Sequence, residues 1–139
     1  MLYGAPEIAA VSSSVRRRAR PTRFAIAMLG RSIPVYLTAI ADEFGCEIPC
    51  APYTDNAGDS IGKAILKHIG KSPAILLANH GVFAIGKSPR DVLKAAVMLE
   101  DVAHTCHLAL LKGKPKALPA KEVSKWFDRY HTSYGQEPE

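Results

Sequence analysis

The sequence predicts a mixed α/β domain in which helices cover a largely antiparallel sheet. Two observations lead to this prediction. Short apolar runs with strand composition alternate with longer segments whose apolar residues recur every three or four positions. The sequence also contains no internal repeat and no linker-like stretch, so residues 1–139 are expected to form a single domain around one core.

The first half of the chain contains short elements. Phe24–Leu29 is apolar and is predicted to end a helix, and Ile33–Leu37 begins a strand. Ile48–Ala51 is predicted to be a second short strand. The Asp59–Ser60 step can cap a helix that runs to His68. Four apolar residues lie on the inner side of this helix: Ile61, Ala64, Ile65 and Ile69.

The second half contains a β-hairpin and a long helix. Ala74–Ala78 and Val82–Ile85 are apolar runs on either side of an Asn-His-Gly step, which predicts strand, sharp turn, strand. Ser88 precedes a proline at the first helical position, so a helix is predicted from there to about Leu111. A last amphipathic helix covers Val123–Tyr130. The predicted inner faces are Val92, Ala95, Leu99, Val102, Cys106 and Leu110 on the long helix, and Val123, Trp126 and Phe127 on the last.

The net charge of +5 comes from one short segment. Five arginines fall within eight residues, and without them 13 basic residues remain against 13 acidic ones. The segment lacks the interleaved aromatic residues that stack on bases, so an RNA-binding arm is the weaker alternative and no nucleic-acid partner is expected. No membrane association is expected either, because no apolar run approaches the ~20 residues of a membrane span. The five residues are Arg16, Arg17, Arg18, Arg20 and Arg23.

The cysteines indicate a reducing compartment. Their number is three, and an odd number argues against a disulfide framework. Cys46 and Cys50 lie four apart without a second pair to complete a zinc knuckle. The start at Met1–Gly4 lacks the features of a signal peptide, so the expected location is the cytoplasm.

The Asn79-His80-Gly81 step is the best candidate for a functional site. It would hold the imidazole of His80 at the end of a strand, where a stiff backbone suits a metal ligand. The alternative is a structural histidine beside a hairpin glycine.

The hairpin and the long helix after it resemble the C-terminal half of the class II aldolase/adducin family. The ending Tyr134-Gly135-Gln136 is similar to the tail of its L-ribulose-5-phosphate 4-epimerase branch. The resemblance extends from about Gly30 to Gln136 and is weakly visible again at Pro6–Val11. It implies a class II aldolase-like fold that is truncated at the N-terminus, because the family's N-terminal third, with its outer strands and phosphate-binding loops, has no counterpart here.

The resemblance also implies a set of site residues. Family members hold one zinc ion with three imidazoles, and His80 matches one of these ligands. Asp42 and Tyr134 match the two acid/base residues that serve the two faces of the aldehyde fragment. In relatives these two residues come from adjacent subunits, so a homo-oligomer, by family a tetramer, is implied. Glu43 remains an alternative to Asp42, and Tyr134 could instead be a terminal tail residue.

Residues 12–23 depart from the family pattern. There the family continues its strand into a His-x-His pair that supplies two zinc ligands. Counting forward from Pro6 places this pair at Ser13 and Val15, whereas counting back from Pro34 places it at Arg17 and Ala19. Neither position holds a histidine, so the zinc site is expected to be incomplete. The basic composition of this segment, rich in Ser, Arg and Pro, is consistent with translation from a wrong reading frame. This hypothesis fails if no frame of the coding DNA encodes His-x-His there.

The resemblance therefore implies an L-ribulose-5-phosphate 4-epimerase-like enzyme that uses zinc to cleave and re-form a carbon–carbon bond in a sugar phosphate. This chain lacks two of the three expected ligands. One alternative is a non-catalytic remnant or assembly module, as in adducin. Another is a fuculose-phosphate-type class II aldolase, which the matches at Asp42 and Tyr134 disfavour. His104 and His107, three apart on the long helix, are predicted to lie at its surface.

Overall fold

The computed structural model describes residues 22–133, which form five helices and three strands. In chain order they are α1 (Thr22–Met28), α2 (Thr38–Phe44), β1 (Cys50–Ala51), α3 (Ser60–His68), β2 (Ala74–Leu77), β3 (Gly81–Ala84), α4 (Pro89–Lys112) and α5 (Ala120–Thr132). The predicted mixed α/β class is confirmed. Most predicted elements are present, with boundaries shifted by a few residues. None of these helices is both long and apolar enough to cross a membrane.

The sheet is small and mixed, with strand order β1-β2-β3. β1 pairs with β2 in parallel over two residues, and β2 pairs with β3 in antiparallel over four, so the antiparallel ladder is the longer one. The predicted strand at Ile33–Leu37 is reduced to one antiparallel bridge between Ile33 and Ile48. Pro34 ends this pairing because proline has no backbone N–H to donate to a ladder.

Helices cover both faces of the sheet, and every residue of β2 is therefore buried. Ala74 and Leu76 face the larger cluster, which includes α1 and α4, whereas Ile75 and Leu77 face a smaller cluster with α3. This alternation follows from the two-residue period of a strand. The strand is apolar throughout because it has no solvent-facing side.

The long helix α4 begins as predicted. The hydroxyl of Ser88 accepts a hydrogen bond from the Asp91 backbone N–H at 3.2 Å, which caps the helix. Five of the six predicted inner residues are buried. The sixth, Leu110, is 51 % exposed, and that prediction is wrong. The last turn of α4, which also exposes Leu108 and Leu111, lies beyond the packed core.

Helices α2 and α5 pack against each other beside α4. The chain returns from α4 through a Lys/Pro-rich turn that is held by one backbone bond, from the N–H of Leu118 to the carbonyl of Val35 (2.7 Å). Val123 is buried, and Trp126 and Phe127 are half-buried, so the inner face of α5 is the one that the sequence predicts.

Candidate functional site

His80 lies in the three-residue turn between β2 and β3. Asn79 at the centre of this turn has a left-handed backbone, with φ of 61°, which asparagine tolerates better than most residues. The backbone N–H of His80 closes the turn on the carbonyl of Leu77 at 3.0 Å. The imidazole is therefore held at the end of a buried strand, as the sequence predicts.

Two contacts fix the His80 ring. It stacks on Tyr53, with ring centroids 5.0 Å apart and planes 17° from parallel. Its Nε2 atom contacts the backbone carbonyl oxygen of Thr54. Because a carbonyl only accepts, Nε2 carries the proton in the neutral ring and Nδ1 keeps its lone pair. Metal-binding histidines are commonly oriented by such a bond to a carbonyl. His80 can thus offer one nitrogen ligand.

A three-imidazole zinc centre does not fit the described residues. The chain has five histidines, and all of them lie within residues 22–133. Besides His80 in the hairpin turn, they are His68 on α3, His104 and His107 on α4, and His131 on α5. Over the same range, no three His, Cys, Asp or Glu side chains are grouped closely enough to hold an ion. His107 is exposed as predicted, whereas His104 is half-buried, with Nδ1 3.3 Å from the hydroxyl of Thr22.

Helices α2 and α5 line a cavity of about 390 Å³, which we call the α2–α5 cavity. Thr38 and Asp42, four residues apart, lie on one face of α2. Trp126, Arg129 and Tyr130 have the corresponding spacing on α5. The fold thus brings Asp42 together with a guanidinium group and two aromatic rings.

Two cations contact the ring of Trp126. The Cζ atom of Arg129 lies 5.3 Å from the ring centroid and the Nζ atom of Lys125 lies 4.9 Å from it. The indole N–H donates to Oε2 of Glu122 at 3.1 Å, which fixes the ring. Among the described lining residues, Arg129 is the one cation and Asp42 the one anion.

Glu43, next to Asp42 in sequence, has a different environment. It is 9 % exposed, and its Oε2 atom lies 2.8 Å from Nζ of Lys94 on α4. That oxygen makes no well-aligned hydrogen bond within the described residues, so the charge of Lys94 compensates its burial. The same interaction raises the pKa of Lys94 above its ordinary value of 10.5. The ammonium also lies 4.8 Å from the ring centroid of Tyr130, which links the pair to α5.

The end of α5 is docked onto α2 beside the cavity. Nε2 of His131 donates to the backbone carbonyl of Asp42 at 3.0 Å. The His131 ring packs on Phe127, with centroids 4.3 Å apart, and edge-on against Tyr130 at 5.3 Å. These contacts hold the backbone of Asp42 in a fixed position relative to α5.

Comparison with known families identifies the fold. The family profile described as the class II aldolase and adducin N-terminal domain matches residues 20–107, which is more than half of the chain. The chain belongs to the class II aldolase and adducin family.

Two relatives indicate the range of activities in this family. A 5-methylthioribulose-1-phosphate/5-deoxyribulose-1-phosphate aldolase of Rhodospirillum rubrum is 30% identical over 115 residues, which cover 83% of this chain and 52% of that protein. The L-ribulose-5-phosphate 4-epimerase UlaF of Salmonella paratyphi B is 33% identical over 127 residues, covering 79% of this chain and 55% of that protein. The chain therefore spans about half the length of these relatives.

Solved structures agree on the fold. An L-fuculose 1-phosphate aldolase superimposes with a TM-score of 0.67 at 24% identity, covering 79% of this chain and 51% of the other. The L-fuculose 1-phosphate aldolase from Glaciozyma antarctica gives 0.63 at 20% identity, covering 78% and 40%. At these identities the match concerns the arrangement of elements and not the reaction.

Within this class II aldolase fold, the predicted site residues have three different outcomes. His80 is at the hairpin turn and Asp42 lines the α2–α5 cavity, so they belong to separate local environments. Tyr134 lies outside the described residues. Neither Arg129 as a cavity residue nor Lys94 as the partner of Glu43 was identified from the sequence. The only sequence signal for Arg129 was its spacing of three from Trp126.

Proposed function

We propose that this chain is an L-ribulose-5-phosphate 4-epimerase-like member of the family, acting on a ketopentose phosphate. The observation that carries the proposal is the contrast between two neighbouring carboxylates. Asp42, which matches the acid/base position of the epimerase branch, is half-buried at a cavity with room for a small sugar phosphate. Glu43, the alternative acid, is buried and paired with Lys94, so it is less suited to proton transfer.

The proposed reaction inverts the configuration at C4. The C4 hydroxyl loses its proton and the C3–C4 bond breaks. The electron pair of that bond stays with the C3 fragment as an enediolate, and C4 becomes the carbonyl carbon of an aldehyde. The aldehyde rotates, the enediolate attacks its other face, and the alkoxide regains a proton. Asp42 is proposed to transfer the proton on one face and Tyr134 on the other, as general acid/base groups.

His80 is proposed as the family's metal ligand in this chain, with Nδ1 as the binding atom. The contacts with Tyr53 and Thr54 suit an oriented ligand. A catalytic zinc normally has three protein ligands, and the described residues do not bring two more to His80. The described residues therefore assign no catalytic step to zinc.

A homo-oligomer and a cytoplasmic location complete the proposal. The resemblance to the epimerase branch implies acid/base residues on adjacent subunits, and a site shared between copies of this chain would show as self-association by light scattering. The odd number of cysteines, all three of them free, supports a reducing compartment.

The test is interconversion of L-ribulose 5-phosphate and its C4 epimer, D-xylulose 5-phosphate, in zinc-supplemented buffer. Asp42→Asn keeps the shape and removes the base, so turnover should fall by roughly 10²–10⁴-fold. Asp101→Asn, at an exposed acid on α4, is the matched control and should leave turnover unchanged. Equal activity of Asp42→Asn and wild type would exclude Asp42 from proton transfer.

A second candidate is an aldolase that releases the two fragments. The Rhodospirillum rubrum relative favours it, since that protein is named for cleavage of ketose 1-phosphates. Running the assay with both L-ribulose 5-phosphate and 5-deoxyribulose 1-phosphate separates the two, because an aldolase releases free aldehyde and an epimerase accumulates the epimer.

A third candidate is a non-catalytic family member or assembly module. The separation of His80 from the four histidines on α3, α4 and α5 favours it. This candidate predicts no turnover of either substrate class by a folded wild-type chain that self-associates.

A further inference from the structure

We propose that the groove between α3 and β3, which we call the α3–β3 groove, binds a fatty-acid anion. Such a ligand has one alkyl chain and a terminal carboxylate. The alkyl chain lies along α3, and the carboxylate lies at the end marked by Lys71 and Lys87. The groove is on the sheet face opposite α4, so this inference does not depend on the proposed reaction.

The groove exists because α3 covers only part of its sheet face. This helix packs against β1 and β2, and Ile75 of β2 is fully buried on that face. Phe83 and Ile85 project on the same face, because side chains alternate along an extended chain, but they are only half-buried. Within the described residues, the strip beside α3 is an open cavity of about 740 Å³. That volume lies in the range of small-molecule sites.

Apolar side chains form both walls of the α3–β3 groove. One wall includes Leu66 of α3, which is 81 % exposed, and the other includes Phe83 and Ile85. The hydroxyl of Ser72 is already satisfied, because it donates to the carbonyl of Ala74 at 2.6 Å. The wall on α3 also contains Ile61, Ile65 and Ile69. Its length, roughly 12 Å at 1.5 Å per residue, suits an extended alkyl chain.

The only charged groups in the described lining lie together at one end of the groove. The N–H of Ile85 donates to the carbonyl of Pro73 at 2.8 Å, which continues the register of the β2–β3 ladder. The same register places Lys71 and Lys87 two residues further out on adjoining segments, beside the end of α3. Both lysines are exposed, and neither makes an ion pair with a described residue. An anion at this end relieves the repulsion between two ammonium groups.

This distribution of charge selects one class of ligand. Cations at one end and apolar side chains along the rest match a carboxylate that carries a single alkyl chain. An acidic amphipathic helix would need cations along the length of the groove, and the described lining has none there. A neutral apolar ligand would leave the charges of the two lysines uncompensated.

Calorimetric titration of the full chain with dodecanoate, below its micelle concentration, tests the site. One dodecanoate should bind per chain. Shortening the probe to decanoate or octanoate should weaken binding by about two- to fourfold for each methylene removed. Dodecyltrimethylammonium, which has the same chain and the opposite charge, should bind at least about tenfold more weakly. Trp126 lines the α2–α5 cavity on the other side of the sheet, so its fluorescence should not change.

Two double variants test the cationic end of the groove. Lys71→Gln with Lys87→Gln removes both cations of the lining and should weaken dodecanoate binding about tenfold or more. Lys63→Gln with Lys67→Gln is the matched control, because it removes the same charge from α3 outside the described lining. This control should change the affinity less than about twofold, since salt screens charges at a distance.

Two single variants test the apolar wall. Leu66→Asp places a carboxylate beside the alkyl chain and should weaken dodecanoate binding about tenfold or more. Leu93→Asp is its control, at a leucine on α4 that is 60 % exposed and outside the described lining, and should bind as tightly as the wild type. Because both leucines are exposed, the thermal midpoints of the two variants should stay close to that of the wild type.

Four outcomes would overturn the proposal. These are no saturable binding of dodecanoate, equal affinity for dodecyltrimethylammonium, equal losses in the two lysine variants, and equal losses in the two aspartate variants. The proposal also fails if the wild type does not bind dodecanoate and light scattering shows that Leu66→Asp dissociates it, because the groove is then an interface between copies. None of these outcomes bears on the epimerase proposal, which Asp42→Asn tests at a separate site.

Discussion

Asp42 and Glu43 are adjacent acids that the fold places in opposite environments. On residue types alone either could serve as the acid/base group. The choice between them depends on the rotation of α2, which turns Glu43 towards Lys94 on α4 and leaves Asp42 at the cavity. Lys94 is distant from Glu43 in sequence, so local spacing contains no signal for this pair. Sequence register alone pointed to Asp42.

The Glu43–Lys94 pair predicts a pH dependence of stability at high pH. Glu43 raises the pKa of Lys94 in the folded chain above its ordinary value of 10.5. The stabilisation is complete below 10.5 and is lost as the pH rises through the raised pKa, because the unfolded chain releases the proton first. The Lys94 side chain is 43% exposed, so the effect should be only about 1 kcal/mol or less.

The comparison with Glu43→Gln isolates this effect. Glutamine has nearly the same shape but removes the charge that holds the proton on Lys94. Urea unfolding between pH 9 and 12 should show the wild type losing stability relative to Glu43→Gln above pH 10.5. Parallel pH curves would show that the pair contributes no measurable stability.

At the scale of elements, segments that carry a local turn or cap signal were predicted well, and segments without one were not. The hairpin around His80 and the helix that begins after Ser88 follow from local signals, a turn step and an N-cap. The strand predicted at Ile33–Leu37 needed a partner along its whole length, and only Ile33 has one. Pairing between distant segments is not written in local composition.

The contact between α2 and α5 could not be predicted from the sequence, and it depends on Gly45. This residue ends α2 with φ of 64°, a left-handed conformation that favours glycine. A Cβ atom there would lie 2.6 Å from the ring of Phe127 on α5. Close approach of the two helices therefore requires a residue without a side chain at this position.

Gly45→Ala should be more destabilising than a conformational penalty alone. Gly30 is the matched control: it has φ of 62°, and an added Cβ would meet no atom within 4 Å. Gly30→Ala should cost about 1–2 kcal/mol of unfolding free energy through the left-handed backbone. Gly45→Ala should cost about 1–3 kcal/mol more, because Phe127 and α5 must shift. Denaturant unfolding of the two variants measures the difference, and equal losses would contradict tight packing at Gly45.

At the scale of the whole molecule, the chain has the fold of its family, but its described residues do not form a complete metal site. The sequence already contains too few suitable histidines near one another for three ligands, but distant residues can meet in a fold. The structure places the other four histidines on three helices, where they do not group with His80. Their dispersal could be established only from the arrangement of those helices.

This arrangement predicts that the chain alone does not retain zinc. A catalytic zinc site normally supplies three protein ligands, and one imidazole supplies only one. The affinity of the chain for zinc should therefore be far below that of a complete site. After a chelator wash and gel filtration, elemental analysis should find well under one equivalent per chain. His80→Ala should lower any uptake from zinc-supplemented buffer, whereas His107→Ala, at an exposed position on α4, should not. One tightly held equivalent would mean that groups outside the described residues, or in another copy, complete the site with His80.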